Sequence, residues 1–388
     1  MRLALFDTFV RTNARPNDDE SSFEFLNRAA GPFWERVRQL ADAWFVEYPD
    51  GEDARDLRER FRGREWGEHI GAWWELYLYT LFRRLGYDID IHPKLANVTR
   101  RPDFGIVTDG EPILLEARHV QSGLVSSGGS AGRDGWITSP LNGLTHPRFM
   151  VGVRILDRGE RQPRRDAVTA GVLDWLNSLD PDALIGQQIA AMPRIERRAG
   201  EWRFELRAIP VTARATATDR GLVGLYPSLG GWDNTMAALK AALKEKARRY
   251  GRPGVPLILA PLMTSGSTNT EDIVGALFGT EAVQFSPNDP TTTRLIRRGD
   301  GFWIAGDGYR GTRVSAVLVA TAIYPWNAAG PLPRLWLHPS PAHPLPSTFG
   351  LPTARITDGN LVLSTDDRTG SNLFDLPANW PGPEPAFP

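Results

Sequence analysis

The sequence contains no cysteine, which excludes a disulfide scaffold, a cysteine-ligated zinc site and a thiol nucleophile. Any metal must therefore be held by oxygen or imidazole ligands. No apolar run approaches the roughly 18 residues that a membrane-spanning helix needs. Residues 1–12 include Asp7 and Arg11 where a signal peptide requires an uninterrupted apolar stretch. We therefore expect a cytoplasmic protein that does not contact a membrane.

Lysine is scarce, with four residues against 41 arginines, and three of the four lie close together at Lys240, Lys244 and Lys246. The formal net charge of −1 supplies no overall positive field, so charge neither indicates nor excludes nucleic-acid binding. The chain is 41% hydrophobic and 23% charged, which is typical of folded globular proteins. A folded enzyme or a binding module is the expectation that follows.

The periodicity of apolar residues predicts three regions along the chain. Residues 1–65 are predicted to form a helical N-terminal extension, and residues 66–330 to form an α/β core with insertions. Residues 331–388 are rich in proline and are predicted to be a tail, either extended on the surface or disordered.

The core opens with a change from helical to strand-like periodicity. A helix predicted over 66–85 ends at Gly86, a residue suited to a helix C-terminus. Three predicted strands follow it, and a helix and a strand come later; their ranges are 87–92, 102–107, 112–120, 234–250 and 256–262. This order predicts a mixed β-sheet flanked by helices.

Three carboxylates fall on these elements. Asp103 begins the second predicted strand, and Glu116 interrupts the apolar run of the third. A charge in that position is costly unless it is paired or bound to a metal. Glu75 lies on the flank of the apolar stripe of the preceding helix, and the carbonyl of Ala117 would lie beside Glu116. Metal-dependent hydrolysis of a phosphodiester requires such a convergence of oxygen ligands.

Each carboxylate also has a structural interpretation. A Pro-Asp pair is common in turns, so Asp103 would cap a strand or turn. Glu75 would be an exposed helical residue, and Glu116 would form an ion pair with Arg100 or Arg101. The order of the carboxylates along the chain favours one shared site over three unrelated roles.

The combination of Glu75, Pro102-Asp103 and Glu116-Ala117-Arg118, in the order helix, strand, strand, strand, resembles the PD-(D/E)xK nuclease superfamily, whose fold is that of the restriction endonucleases. The resemblance implies a restriction-endonuclease-like core in which Asp103, Glu116 and the Ala117 carbonyl bind Mg²⁺ or Mn²⁺. It implies that Glu75 is a third carboxylate or positions water. It also implies a nucleic-acid partner, DNA above all, in bacterial defence or DNA processing, and it allows a homodimer.

Arg118 stands where the motif has lysine, and arginine remains protonated, so it cannot act as a general base, although it can stabilise a phosphate. One explanation is that the amine has migrated to the helix predicted over 234–250, where Lys240 and Lys244 lie one turn apart and Lys246 follows. The other is that these lysines form an ordinary solvated face and that the site is degenerate. Lys240 and Lys244 are the candidate amines.

These features give three hypotheses. The first is a metal-dependent nuclease with Glu75, Asp103, Glu116, Arg118, Lys240 and Lys244 in its active site. The second is a catalytically inactive module of the same fold that binds nucleic acid or a partner protein. The third is a structural ion-pair cluster in an unrelated α/β protein. An ammonium group that reaches the carboxylates from the lysine-bearing helix would favour the first.

Overall fold

Two compact units make up the chain. The structure, a computed structural model, describes residues 3–12, 20–95, 100–110, 112–121, 136–138, 140–141, 143–159, 161–185, 191–210, 222, 235–251, 253–264, 268, 270–286, 289–305, 308–357, 360–364 and 368–383. Unit 1 comprises Met1–Asn13, Ser21–Ser122 and Asn234–Glu384, and unit 2 comprises Ala14–Glu20, Gly123–Asp233 and Pro385–Pro388.

Strands and helices occur in consecutive runs along much of the described chain. The strands are β1 Asp88–Ile91, β2 Phe104–Val107, β3 Ile113–Val120, β4 Phe149–Asp157, β5 Arg194–Ala199, β6 Trp202–Pro210, β7 Leu257–Met263, β8 Glu281–Ser286, β9 Asp289–Arg297, β10 Ile304–Ala305, β11 Gly308–Tyr309, β12 Ala316–Thr321, β13 Arg334–Leu337, β14 Thr353–Thr357 and β15 Asn360–Leu363. The helices are α1 Ser22–Arg28, α2 Pro32–Glu47, α3 Glu52–Phe61, α4 Trp66–Arg84, α5 Arg165–Thr169, α6 Val172–Asn177, α7 Pro181–Leu184, α8 Thr235–Ala247, α9 Thr270–Phe278 and α10 Gly370–Phe374.

An eight-stranded mixed sheet forms the centre of unit 1, in the order β1-β2-β3-β7-β12-β13-β14-β15. β1, β2 and β3 are consecutive antiparallel neighbours. β3, β7 and β12 run parallel, and in the chain α8 precedes β7 whereas α9 follows it. The predicted mixed sheet flanked by helices is confirmed.

The central strands β3, β7 and β12 are buried on both faces, as expected for parallel strands covered by helices. On one face, Leu115 of β3 and Ile258 of β7 belong to an apolar core with Trp73 and Trp74 of α4. On the other face, Leu114 belongs to a second core with residues of α8 and α9. Alternate side chains of β3 therefore point to opposite helical layers.

Three helices, α1, α2 and α3, cover about half of residues 1–65. These helices contribute to the core against α4 and belong to unit 1. Residues 331–388 do not form the predicted tail: β13, β14 and β15 lie in this region and extend the main sheet. The core with insertions predicted over 66–330 spans parts of both units, because residues 123–233 belong to unit 2.

Unit 2 contains a three-stranded antiparallel sheet in the order β4-β6-β5. One face of it carries Phe149, Phe204 and Leu206, which are buried together with Val168 and Leu176 of the short helices α5 and α6. Unit 2 therefore has an apolar core of its own. Among the described residues, every helix is too short or too polar to cross a lipid bilayer.

His69 joins α4 to the end of α3. Its ring is 2% exposed, and its Nδ1 lies 2.6 Å from the carbonyl oxygen of Phe61. Because a carbonyl only accepts hydrogen bonds, Nδ1 carries the proton. Burial lowers the pKa of His69 below its usual value, so the folded protein keeps this ring neutral as the pH falls.

We expect His69 to make unit 1 less stable in mild acid. Below the ordinary histidine pKa of about 6.5, His69 binds a proton in the unfolded chain but not in the folded chain. The stability that the neutral ring contributes is fully present above about pH 6.5. It is lost as the pH falls, by up to about 1.4 kcal/mol per pH unit for one proton. His69→Asn keeps an N–H donor and does not titrate. Urea unfolding at pH 7.5 and 5.5 should show a smaller loss for His69→Asn than for wild type. Equal losses would contradict a neutral buried His69.

Candidate active site

Glu116 lies at the middle of β3 and is 1% exposed. Its neighbours Leu115 and Ala117 face the α4 layer, so the alternation of the strand directs the Glu116 side chain to the opposite face, which α8 covers. A carboxylate buried in a central strand requires compensation by positive charge or by hydrogen bonds.

Lys246 of α8 supplies the positive charge. Its Nζ donates a hydrogen bond to Oε1 of Glu116, and Lys246 itself is 7% exposed. A second cation lies nearby, because Nη1 of Arg249 is 3.5 Å from the same oxygen. The other oxygen, Oε2, accepts a hydrogen bond from the Tyr250 hydroxyl. Glu116 is thus held on both oxygens by residues from the end of α8 and the turn that follows.

Asp103 lies directly before β2 and reaches across to β3. Its Oδ2 accepts a hydrogen bond from the backbone N–H of Ala117, with an N···O distance of 2.6 Å. Pro102 precedes it and has no N–H for a ladder bond, so the regular strand begins only at Phe104. The N–H and C=O of one strand residue point to the same side of the strand. The Ala117 carbonyl therefore lies on the side of β3 that Asp103 occupies.

The pKa of Asp103 is raised well above its usual value. Burial is the largest cause, and the negative charges of Glu116 and Glu75 act in the same direction, whereas Lys246 and the Ala117 N–H oppose them. Like charges that are close together and poorly solvated disfavour ionisation. The three carboxyl groups therefore share one electrostatic environment that additional positive charge would stabilise.

Glu75 approaches this environment from α4 but is already paired. Its two carboxylate oxygens accept hydrogen bonds from Nη1 and Nη2 of Arg60 at 2.8 and 2.6 Å. Such a two-point pair fixes the carboxylate in one orientation. Glu75 acts on Asp103 through its charge, and the contact it makes is the ion pair with α3.

The remaining predicted residues make other contacts or are exposed. Arg118 is exposed and its Nη2 is 3.3 Å from Oε2 of Glu245. Lys240 donates to the carbonyl of Asp300 at 2.9 Å, and Lys244 is exposed. The structure therefore brings Lys246 to the carboxylates, from the helix that the prediction chose, whereas the prediction named Lys240 and Lys244.

The sequence does contain a signal for Lys246. Leu239 and Leu243 face the sheet from α8, and the same stripe continues at intervals of three and four residues through Lys246 and Tyr250. A lysine in an apolar stripe must find a buried partner. Lys240 lies one position off this stripe, where a helix meets solvent or the rim of the core.

The donor set suits a magnesium-like cation. Among the described residues, no group of three or more acidic or histidine side chains is arranged to hold a metal by itself. The candidate ligands are instead two carboxylates, Asp103 and Glu116, and the carbonyl of Ala117. Mg²⁺ takes oxygen ligands, usually keeps several waters, and is commonly held by one or two carboxylates together with substrate phosphate. The raised pKa of Asp103 marks a place where a cation would be stabilised.

A cavity of about 360 Å³ opens elsewhere in unit 1, at the ends of β12 and β13. Its lining includes Thr270, Thr321 and Arg334. None of the described residues that line it belongs to the group around Glu116. Arg334 is already engaged, because its Nη1 donates to the Thr353 carbonyl at 2.8 Å. The chemistry of the buried carboxylates is therefore separate from this cavity.

Comparison with known proteins gives no match to a family model, to a curated protein or to a solved structure. What these residues do must therefore be inferred from their own contacts.

Proposed function

We propose that unit 1 is a divalent-metal-dependent nuclease of the PD-(D/E)xK type, with Asp103, Glu116 and the Ala117 carbonyl as metal ligands. Lys246 takes the place of the motif lysine. The observation that carries this proposal is the hydrogen bond from Nζ of Lys246 to Oε1 of Glu116. The amine comes from α8, the helix that precedes β7, and β7 is the parallel neighbour of the strand that bears Glu116.

The order of elements supports the proposal. The chain runs α4, β1, β2 and β3, and then α8 and β7 return to the same sheet. The resemblance in the sequence requires the order helix, three strands, helix and strand. It also requires the two carboxylates on the second and third strands. Asp103 precedes β2, and Glu116 lies in β3.

Each residue has a chemical role that its contacts allow. A bound Mg²⁺ or Mn²⁺ would activate water and neutralise charge on the phosphate. Hydrolysis joins the water oxygen to phosphorus and breaks the bond to a sugar oxygen, so one proton leaves the water and one reaches the leaving oxygen. Lys246 positions the water through its N–H groups, and Arg249, at 3.5 Å from Oε1 of Glu116, adds positive charge for the phosphate.

A second candidate is an inactive nuclease-type module that binds nucleic acid or a partner protein. One observation favours it: both Glu116 oxygens already accept hydrogen bonds, from Lys246 and Tyr250. A site that supplies its own counter-ion has no requirement for a metal to be stable. The two candidates differ in whether Mn²⁺ raises the melting temperature.

The test is cleavage of supercoiled, linear and single-stranded DNA and of RNA with Mg²⁺ or Mn²⁺. We expect metal-dependent cleavage by wild type that is abolished in Asp103→Asn, because the variant removes a charged ligand. Asp109→Asn changes an exposed aspartate in the turn between β2 and β3 and should cleave like wild type. The double variant Glu116→Gln with Lys246→Met removes a ligand and the amine without leaving a buried charge, so it should fold and be inactive.

Two outcomes would overturn the nuclease. One is cleavage that survives in both Asp103→Asn and the double variant. The other is wild type that cleaves no substrate and shows no rise in melting temperature with Mn²⁺, which would leave the inactive module as the better account.

A further inference from the structure

The Tyr250 hydroxyl contacts both segments that carry the proposed metal ligands. It donates to Oε2 of Glu116 and lies 3.2 Å from the carbonyl oxygen of Arg101, two residues before Asp103. Tyr250 is 2% exposed. No tyrosine belongs to the motif that led to this site, so its role does not follow from the resemblance.

The hydroxyl has one proton to share between two acceptors. The hydroxyl is the donor in both contacts. A hydrogen bond to a carboxylate is stronger than one to a neutral carbonyl, and the contact with Glu116 is the shorter of the two. The proton therefore points to Oε2 of Glu116, and the Arg101 carbonyl packs beside the oxygen.

The two oxygens of Glu116 consequently face different surroundings. Oε1 accepts a hydrogen bond from Lys246, and the guanidinium group of Arg249 lies 3.5 Å from it. Oε2 faces the neutral Tyr250 hydroxyl. The Tyr250 hydrogen bond therefore holds one oxygen of Glu116 independently of the cations at the other.

We infer that Tyr250 is a positioning residue that fixes the orientation of the Glu116 carboxylate for metal binding. This inference rests on the proposed nuclease site. The terminal torsion of a glutamate is broad and roughly two-fold, so the carboxylate needs a hydrogen-bond partner to hold one orientation. Hydrogen-bond partners of metal ligands commonly change metal affinity by about 10- to 100-fold.

Tyr250→Phe removes the hydroxyl and keeps the ring. We expect the Mn²⁺ concentration for half-maximal rise in melting temperature, and that for half-maximal cleavage, to increase by about tenfold or more. Saturating Mn²⁺ should restore most of the cleavage rate. The control is Tyr309→Phe, which changes an exposed tyrosine and should leave both concentrations unchanged.

The outcomes separate this inference from the proposed function. In one outcome, wild type binds Mn²⁺ and cleaves, while Tyr250→Phe has a lower melting temperature and an unchanged Mn²⁺ dependence. Tyr250 would then be purely structural, and the inference alone would be overturned. Wild type that neither binds Mn²⁺ nor cleaves would overturn the nuclease and the inference together. A higher Mn²⁺ requirement in Tyr250→Phe and not in Tyr309→Phe would support both.

Discussion

Lys246→Met is expected to lower the free energy of unfolding at neutral pH by about 3 kcal/mol, because it removes the cation that hydrogen-bonds the buried Glu116 carboxylate and leaves Arg249, 3.5 Å from Oε1, as its neighbouring cation. Methionine matches the length of the lysine side chain and keeps its apolar contacts. The loss of unfolding free energy therefore measures the effect of the missing charge and not that of a cavity. Urea unfolding of wild type and variant measures it.

Three controls isolate the pair. Lys244→Met changes an exposed lysine on the same helix and should shift stability by no more than about 0.5 kcal/mol. Glu116→Gln combined with Lys246→Met removes both charges, so it should recover most of the lost stability. Mn²⁺ should raise the melting temperature of Lys246→Met by more than that of wild type if the metal occupies the place of the ammonium group. A cost below about 1 kcal/mol for Lys246→Met would contradict the buried ion pair.

Trp74→Ala is the second large effect, with an expected loss of about 3 to 5 kcal/mol. The indole is fully buried, and its Nε1 donates to the carbonyl of Ala260 in β7 at 2.7 Å. Ala260 is the strand partner of Ala117, so one side chain of α4 fixes the backbone beside the proposed ligands. Since a typical domain is stable by only about 5 to 15 kcal/mol, this variant should approach unfolding.

Two further variants divide that cost between packing and hydrogen bonding. Trp74→Phe keeps much of the ring volume and loses the N–H, so it should cost less than Trp74→Ala. Trp326→Ala makes the same truncation at a partly buried indole and should also cost less. Chemical unfolding followed by circular dichroism compares them. Equal losses for Trp74→Ala and Trp326→Ala would contradict the anchoring role of Trp74.

The sequence predicted the part of the fold where periodicity is strong. The helix over 66–85 and the three strands after it correspond to α4, β1, β2 and β3 within a few residues, because the helix has a continuous apolar stripe and the strands lie between turn residues. The strands of the C-terminal region were harder. β14 and β15 are largely exposed, so they show little of the apolar alternation that identifies a strand.

The candidate site could be predicted where the burial of a residue produces a recognisable pattern in the sequence. Glu116 was found because it interrupts an apolar strand, and the structure buries it. The choice among the three clustered lysines failed because charge and helical spacing were considered without the apolar stripe that Lys246 joins. The separation of unit 2 was also missed, since its alternating helices and strands resemble the rest of the chain and contacts, not local pattern, define a unit.

The chain order of the Glu116–Lys246 pair has a consequence during synthesis. The two residues are 130 positions apart, and residues 123–233, which belong to unit 2, are translated between them. At about 5 to 20 residues per second, Lys246 follows Glu116 out of the ribosome by roughly 6 to 26 seconds. During that interval β3 carries a carboxylate that it cannot bury, so the central sheet of unit 1 must wait for α8, while unit 2 is already complete enough to fold.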